Sequence, residues 1–169
     1  MRRTLTLFLS LLVLWTVVTQ LNHALTSMHI YLFTGALFVT FAALTQPFGS
    51  GFWASALAGL VFDANTPVAF GTHLLLFGAT HVVLFRLRDR VPRNDTFTRV
   101  SVAVLANLVL FLVFSFVETI HSPAPAANWP RLLMDLVCSQ VFLALVAPWA
   151  FALQARALEI ARVRREERS

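Results

Sequence analysis

Five ionisable side chains that could carry chemistry lie within or beside apolar stretches of the sequence: Asp63, His73, His81, Glu118 and Asp135. Acids and histidines inside a membrane are costly to bury, so they often mark proton relays or substrate sites. His73 and His81 are about 12 Å apart along a helix axis, at 1.5 Å per residue. We therefore expect no shared metal ion, because a metal site needs three or four converging ligands. A lone histidine in a bundle more often hydrogen-bonds a neighbouring helix.

Asp63 precedes a short polar stretch, residues 64–67, that is typical of a turn. An aspartate there either accepts backbone hydrogen bonds as part of the turn or serves a function, and the sequence leaves both open. Arg131 precedes Asp135 by four residues, a spacing that allows an ion pair on one face of a helix. We expect a structural role for Asp135, because pairing is how charges are tolerated near a membrane interface.

The sequence contains no G-x-S-x-G, H-E-x-x-H or Walker motif. Cys138 is the only cysteine, which excludes an internal disulfide and a multi-cysteine zinc site. We therefore predict a protein that is not an enzyme and that uses neither cofactor nor metal. A small lipid-modifying membrane enzyme is an alternative that would depend on the acidic residues alone.

The composition is that of a membrane protein. Hydrophobic residues make up 58% of the 169 residues and charged residues 12%, whereas a soluble domain is about 45–50% apolar. A membrane span needs about 20 apolar residues. We predict an all-α polytopic integral membrane protein, a single domain with about six transmembrane helices in one bundle. The predicted spans are residues 4–21, 29–44, 51–63, 68–85, 100–117 and 132–153. The third is short, and a tilted span, a half-helix or a re-entrant segment would each fit it.

The basic residues are all arginines, and twelve of the thirteen fall in three clusters between the apolar stretches. They are Arg2, Arg3, Arg86, Arg88, Arg90, Arg93, Arg99, Arg156, Arg162, Arg164, Arg165 and Arg168. With six spans all three clusters lie on one side, which the positive-inside rule makes the cytoplasm. Both termini are then cytoplasmic, and residues 156–169 form a basic tail that meets anionic lipid headgroups rather than nucleic acid. A cleaved signal peptide at the start is an alternative reading of residues 2–21.

Small residues recur every four positions in the third span, at Gly51, Ser55 and Gly59, and the row ends at Asp63. On a helix they form one stripe, and such stripes let two helix backbones approach closely. The stripe is a groove either for another helix of this chain or for a partner protein.

The run from Gly49 to Phe85, followed by an arginine-rich loop, resembles the rod shape-determining protein MreD family. The recurrent pattern is Gly-Leu followed by Asp, a short turn and a Gly that opens the next helix, here Gly59, Leu60, Asp63 and Gly71. The last span resembles the family in Pro148, Trp149 and Phe151, and the turn after Asp63 departs from it.

The resemblance implies a non-enzymatic protein of the bacterial inner membrane that works with MreC and peptidoglycan elongation enzymes to maintain cell shape. A rival interpretation is the substrate-binding membrane component of an energy-coupling-factor vitamin transporter, which has similar length and hydropathy. Such a component needs a pocket with converging polar groups.

Overall fold

The structure is a computed structural model that describes residues 1–66, 69–90, 95–120 and 125–161, without the side chains of residues 118, 120 and 125–128. The regular elements in these ranges are all helical. The α-helices are α1 (Arg2–Leu25), α2 (Thr40–Thr45), α3 (Phe48–Asp63), α4 (Thr72–Leu87), α5 (Thr96–Ile120) and α6 (Pro125–Ile160). Short 3₁₀ turns cover Thr26–Met28, Gly35–Phe38 and Arg88–Arg90.

Three helical stretches are long and apolar enough to cross a membrane: Arg2–Met28, Thr96–Val117 and Trp129–Ile160. The part that the structure describes is therefore all-helical and compatible with a helical membrane protein. Helices α3 and α4 have 16 residues each, fewer than the roughly 20 that a perpendicular span requires.

The predicted helix over residues 29–44 does not form, and this expectation is wrong. The chain has no regular structure from Ile30 to Thr34, makes the 3₁₀ turn Gly35–Phe38 and becomes α-helical only at Thr40. We call residues 30–39 the buried segment, because every residue from Leu32 to Val39 is buried. Non-helical backbone at membrane depth is tolerated only when other parts of the protein satisfy its polar groups.

Contacts between the helices define two ends of the bundle. At one end Asn22 of α1 bonds Leu32, Asp135 of α6 bonds Tyr31, and His73 of α4 meets Phe114 of α5. At the other end Arg88 bonds the carbonyl of Gln46. The described clustered arginines lie at the Gln46 end, because α1 and α5 begin there and α4 and α6 finish there: Arg2, Arg3, Arg86, Arg88, Arg90, Arg99 and Arg156.

The buried segment forms the centre of the core. Phe33 stacks on Phe114 with ring centroids 5.5 Å apart, and Phe38 lies edge-on to Phe62 at 4.8 Å. Leu7 and Leu11 of α1 belong to the same cluster. Since these side chains come from α1, α3, α5 and the buried segment, the helices pack around that segment rather than only against each other.

The helices also extend beyond the predicted spans. Helix α5 begins at Thr96, where the Asp95 carboxylate accepts the N–H groups of Phe97 and Thr98. A hydrogen bond from the Thr98 hydroxyl lowers the pKa of Asp95. Apolar residues mark the part of a helix that lipid covers, whereas a cap marks where the helix begins, so the two boundaries differ.

Candidate functional site

Asp63 lies where α3 ends and α4 begins, and its side chain is buried. Its Oδ1 accepts the His73 backbone N–H at 2.8 Å and faces His73 Nδ1 at 3.0 Å. Its Oδ2 accepts the N–H groups of Gly71 at 3.0 Å and Leu74 at 3.1 Å. Three of the N–H groups at the start of α4 are therefore satisfied by one carboxylate, whose negative charge also suits the helix N-terminus. Asp63 stabilises the α3–α4 junction.

Two glycines make this junction possible. A Cβ on Gly59 would lie 2.8 Å from the backbone of His73 and Leu74, so only glycine allows α3 and α4 to approach so closely. Gly71 caps α4 with φ of 99°, a left-handed conformation that side chains disfavour. Gly59, Asp63 and Gly71, three of the four residues in the Gly-Leu…Asp…Gly pattern, thus form one structural unit.

His73 and Asp63 make the pair of groups that acid–base chemistry would use, and both are buried. Because a carboxylate can only accept, Nδ1 of His73 carries the hydrogen of this contact. The ring packs against Phe62, Phe77 and Phe114 with centroids 5.0–5.9 Å apart. Aromatic rings supply no nucleophile or proton acceptor, so the arrangement orients His73 rather than presenting it to a substrate.

His81 makes a second contact between α3 and α4. Its Nδ1 lies 3.2 Å from Ser55 Oγ, and a Cβ on Gly51 would lie 2.7 Å from His81 Cε1. Both histidines therefore hydrogen-bond the neighbouring helix, as the sequence suggested. The stripe of Gly51, Ser55, Gly59 and Asp63 faces α4, α2 and the buried segment. The structure thus fills this groove with the chain itself.

Side chains of three long helices bond several backbone groups of the buried segment. Asn107 accepts the Ala36 N–H at 3.2 Å and donates to the Phe33 carbonyl at 2.9 Å. Asn22 makes the same pair of bonds with Leu32, at 2.8 and 3.1 Å.

Helix α6 contributes two more residues to this network. Asp135 Oδ1 accepts the Tyr31 N–H at 2.9 Å, and Ser139 Oγ accepts the Phe33 N–H at 2.9 Å. These side chains replace the hydrogen bonds that a helix would have made within itself.

Asp135 also forms the predicted contact with Arg131, at 3.9 Å between Nε and Oδ2. The Arg131 side chain is 66% exposed, so the contact contributes little, as surface pairs generally do. The stronger role of Asp135 is the bond to Tyr31, which the sequence analysis did not identify. The side chain of Glu118 lies outside the described residues.

The arginine-rich end contains one buried cation. Arg88 is 9% exposed, and its Nη1 donates to the Gln46 carbonyl at 3.1 Å. Its guanidinium also lies 3.8 Å above the centre of the Phe85 ring. Arg88 therefore links the end of α4 to the end of α2 by a hydrogen bond, in addition to any effect on membrane orientation. Four tail arginines and one loop arginine lie outside the described residues: Arg93, Arg162, Arg164, Arg165 and Arg168.

Within the described ranges, no three histidine, cysteine, aspartate or glutamate side chains come together as metal ligands. Comparison with known proteins adds no relative: no family model, no curated protein and no solved structure matches the chain.

Sequence reasoning missed four of the residues that hold the buried segment: Asn22, Asn107, Ser139 and Gln154, whose Nε2 lies 3.4 Å from the Leu37 carbonyl. A signal for them was present in the sequence. Asn107, Ser139 and Gln154 are amide or hydroxyl side chains within apolar helices, where a polar group needs a partner. The partner is the backbone of residues 30–44, and the apolar side chains of that run give no sign of it.

Proposed function

We propose that the protein is a non-enzymatic scaffold of the bacterial inner membrane that holds MreC and peptidoglycan elongation enzymes together during rod-shaped growth. The observation that carries the proposal is the α3–α4 junction. Three of the residues on which the MreD resemblance depends, Gly59, Asp63 and Gly71, also build this junction. A motif that determines architecture is what a family of scaffolds would share.

The use of the polar residues supports the same proposal. Four residues that proton transfer or substrate binding could use, Asp63, Asn107, Asp135 and Ser139, each hydrogen-bond backbone instead. The hydrogen bonds of these side chains fix the shape of the bundle. A rigid body that presents fixed outer surfaces suits a protein whose task is to bind other membrane proteins.

The distribution of arginines supports an orientation. Apart from Arg131, the described arginines lie at one end of the bundle, which the positive-inside rule assigns to the cytoplasm. Under this assignment Asp63, His73 and Asp135 lie at the periplasmic end. The cytoplasmic arginines would then contact anionic lipids and cytoplasmic partners.

The test is affinity purification of the tagged protein from native membranes in mild detergent, followed by mass spectrometry. We expect MreC and elongation enzymes to co-purify. Recovery of an ATPase pair with a coupling subunit would overturn the proposal in favour of a transporter, and tight binding of a vitamin by the purified protein would agree with that outcome.

A further inference from the structure

Helix α6 has a long apolar face on the outside of the bundle. Six exposed apolar side chains recur along it every four residues: Leu133, Val137, Val141, Leu145, Trp149 and Leu153. From Leu133 to Leu153 is 20 residues, or about 30 Å at 1.5 Å per residue. A hydrocarbon core is also about 30 Å thick. Arg131 and Arg156 lie just outside the two ends of this α6 face, so its length matches an ordinary membrane.

The hairpin of α3 and α4 is shorter than the α6 face. Each of its helices has 16 residues, which corresponds to about 24 Å. In the turn between them, residues 64–66 and 69–71 are not helical, and four of these residues are exposed: Ala64, Asn65, Ala69 and Phe70. The hairpin therefore falls about 6 Å short of the length that the α6 face covers.

A chain of contacts gives the level of this turn relative to α6. The ring of His73, at the start of α4, lies 5.0 Å from the ring of Phe114, and Phe114 stacks on Phe33. Phe33 in turn donates its N–H to Ser139 of α6. Ser139 is six residues from the Leu133 end of the α6 face, or about 9 Å inside it. The short side of the hairpin is therefore the end that carries the turn.

An exposed non-helical turn does not lie in hydrocarbon, because its backbone groups would find no hydrogen-bond partners there. We infer that the outer surface of the membrane dips to meet the α3–α4 turn, so that the hydrocarbon is about 6 Å thinner along α3 and α4 than along α6. Each ångström of thinning costs far less than one polar backbone group left in hydrocarbon. The lipids that suit this side of the bundle are those with short acyl chains.

The hairpin is held too firmly to lengthen instead. Asn65 Nδ2 donates to the Val61 carbonyl at 2.7 Å, and the Thr66 hydroxyl donates to the Phe62 carbonyl at 2.9 Å. On the other side of the turn, Asp63 bonds the start of α4. Since these bonds fix where α3 ends and where α4 begins, the lipid must adapt to the protein. The inference rests on the membrane-spanning fold and not on the proposed binding of MreC.

The experiment labels single cysteines in the full chain, reconstituted in dioleoylphosphatidylcholine vesicles, with Cys138→Ala in every variant. Asn65→Cys and Val137→Cys form a matched pair of exposed positions, since Asn65 is two residues beyond Asp63 and Val137 is two residues beyond Ser139. The probe is a membrane-impermeant maleimide. We expect Asn65→Cys to react about tenfold faster or more, because the reactive thiolate forms in water and not in hydrocarbon.

Leu145→Cys, in the middle of the α6 face, is the control that should stay unlabelled. Slow labelling of Asn65→Cys would overturn the inference, since lipid or protein would then cover the turn. Equally fast labelling of Val137→Cys would overturn it as well, because the membrane surface would then lie at one level on both sides of the bundle.

Fluorescence quenching by brominated phosphatidylcholines measures the lipid preference itself. Trp53 of α3 and Trp149 of α6 are both exposed, and each lies ten residues on the arginine side of its reference residue, Asp63 or Ser139. In single-tryptophan variants, 14-carbon chains should be favoured over 18-carbon chains about twofold more strongly at Trp53 than at Trp149. The same preference at both positions would contradict a membrane that is thinner on one side.

Discussion

Replacing Asp63 with alanine should destabilise the bundle more than any other removal of a single carboxylate in the described ranges. The change removes the acceptor of three backbone N–H groups, those of Gly71, His73 and Leu74, and of the His73 ring. Each buried donor left without a partner costs about 1–3 kcal/mol. Water reaches the half-buried Gly71 and Leu74 more readily than His73, and it can partly replace the lost acceptor there. We therefore expect the free energy of unfolding to fall by about 3–5 kcal/mol in total.

Asp63→Asn separates the charge of the side chain from its shape. The amide keeps one oxygen for His73 but turns an N–H₂ group toward the N–H groups of Gly71 and Leu74. Two donors then face each other, so we expect a loss of about 2–4 kcal/mol, slightly less than for alanine. Glu cannot substitute either, because the extra methylene has no room in a buried contact.

The assay is unfolding in mixed micelles of a mild detergent and sodium dodecyl sulfate, followed by tryptophan fluorescence. Asp95→Ala is the matched comparison, since Asp95 also caps a helix but is exposed. We expect a clearly smaller loss at Asp95, because water replaces an exposed cap. Equal losses at the two positions would refute the reasoning, as they would mean that burial of the α3–α4 junction adds nothing to the cap.

Three further outcomes follow from the structure, each measured by the same unfolding assay. Gly59→Ala places a Cβ 2.8 Å from the backbone of α4 and should cost about 1–3 kcal/mol, whereas Gly49→Ala should be close to neutral. Asn107→Leu leaves the Ala36 N–H and the Phe33 carbonyl without their hydrogen-bond partner. It should lower the free energy of unfolding by about 2–4 kcal/mol, with Ser101→Ala as the neutral control. The folded-state pKa of Asp95 lies below its ordinary value. The ionised carboxylate therefore stabilises the fold fully above the ordinary pKa, and this stabilisation is lost as the pH falls through the lowered pKa. Stability should therefore fall less steeply between pH 5 and pH 2 in Asp95→Asn than in the unaltered protein, and parallel curves would contradict this.

Five of the six predicted helical stretches form, and in three of them, within α1, α5 and α6, the apolar length meets the physical requirement for crossing lipid. The Asp63 site could be predicted only in part. The sequence left two roles open for Asp63, and one of them, a carboxylate bonded to backbone, is what forms. The bonded N–H groups belong to the following helix, however, and the closeness of that helix depends on Gly59. Sequence spacing along one helix does not report such contacts.

The buried segment could not be predicted, for a different reason. An apolar run at residues 30–44 satisfies the criterion for a span whether it is helical or not. What decides its conformation is whether distant side chains bond its backbone, and here they are Asn22, Asn107, Asp135 and Ser139. The most distant of these contacts, from Ser139 to Tyr31, spans 108 residues of the chain. A local pattern contains no information about them.

The irregular conformation has a geometric consequence that a helix would not provide. Residues 30–45 run from the Asp135 end of the bundle to the Gln46 end. Sixteen residues in one α-helix would cover about 24 Å. Here the first five of these residues are not helical, and the 3₁₀ turn Gly35–Phe38 rises about 2.0 Å per residue, more than an α-helix does. The side-chain hydrogen bonds from α1, α5 and α6 are what make this non-helical backbone tolerable there.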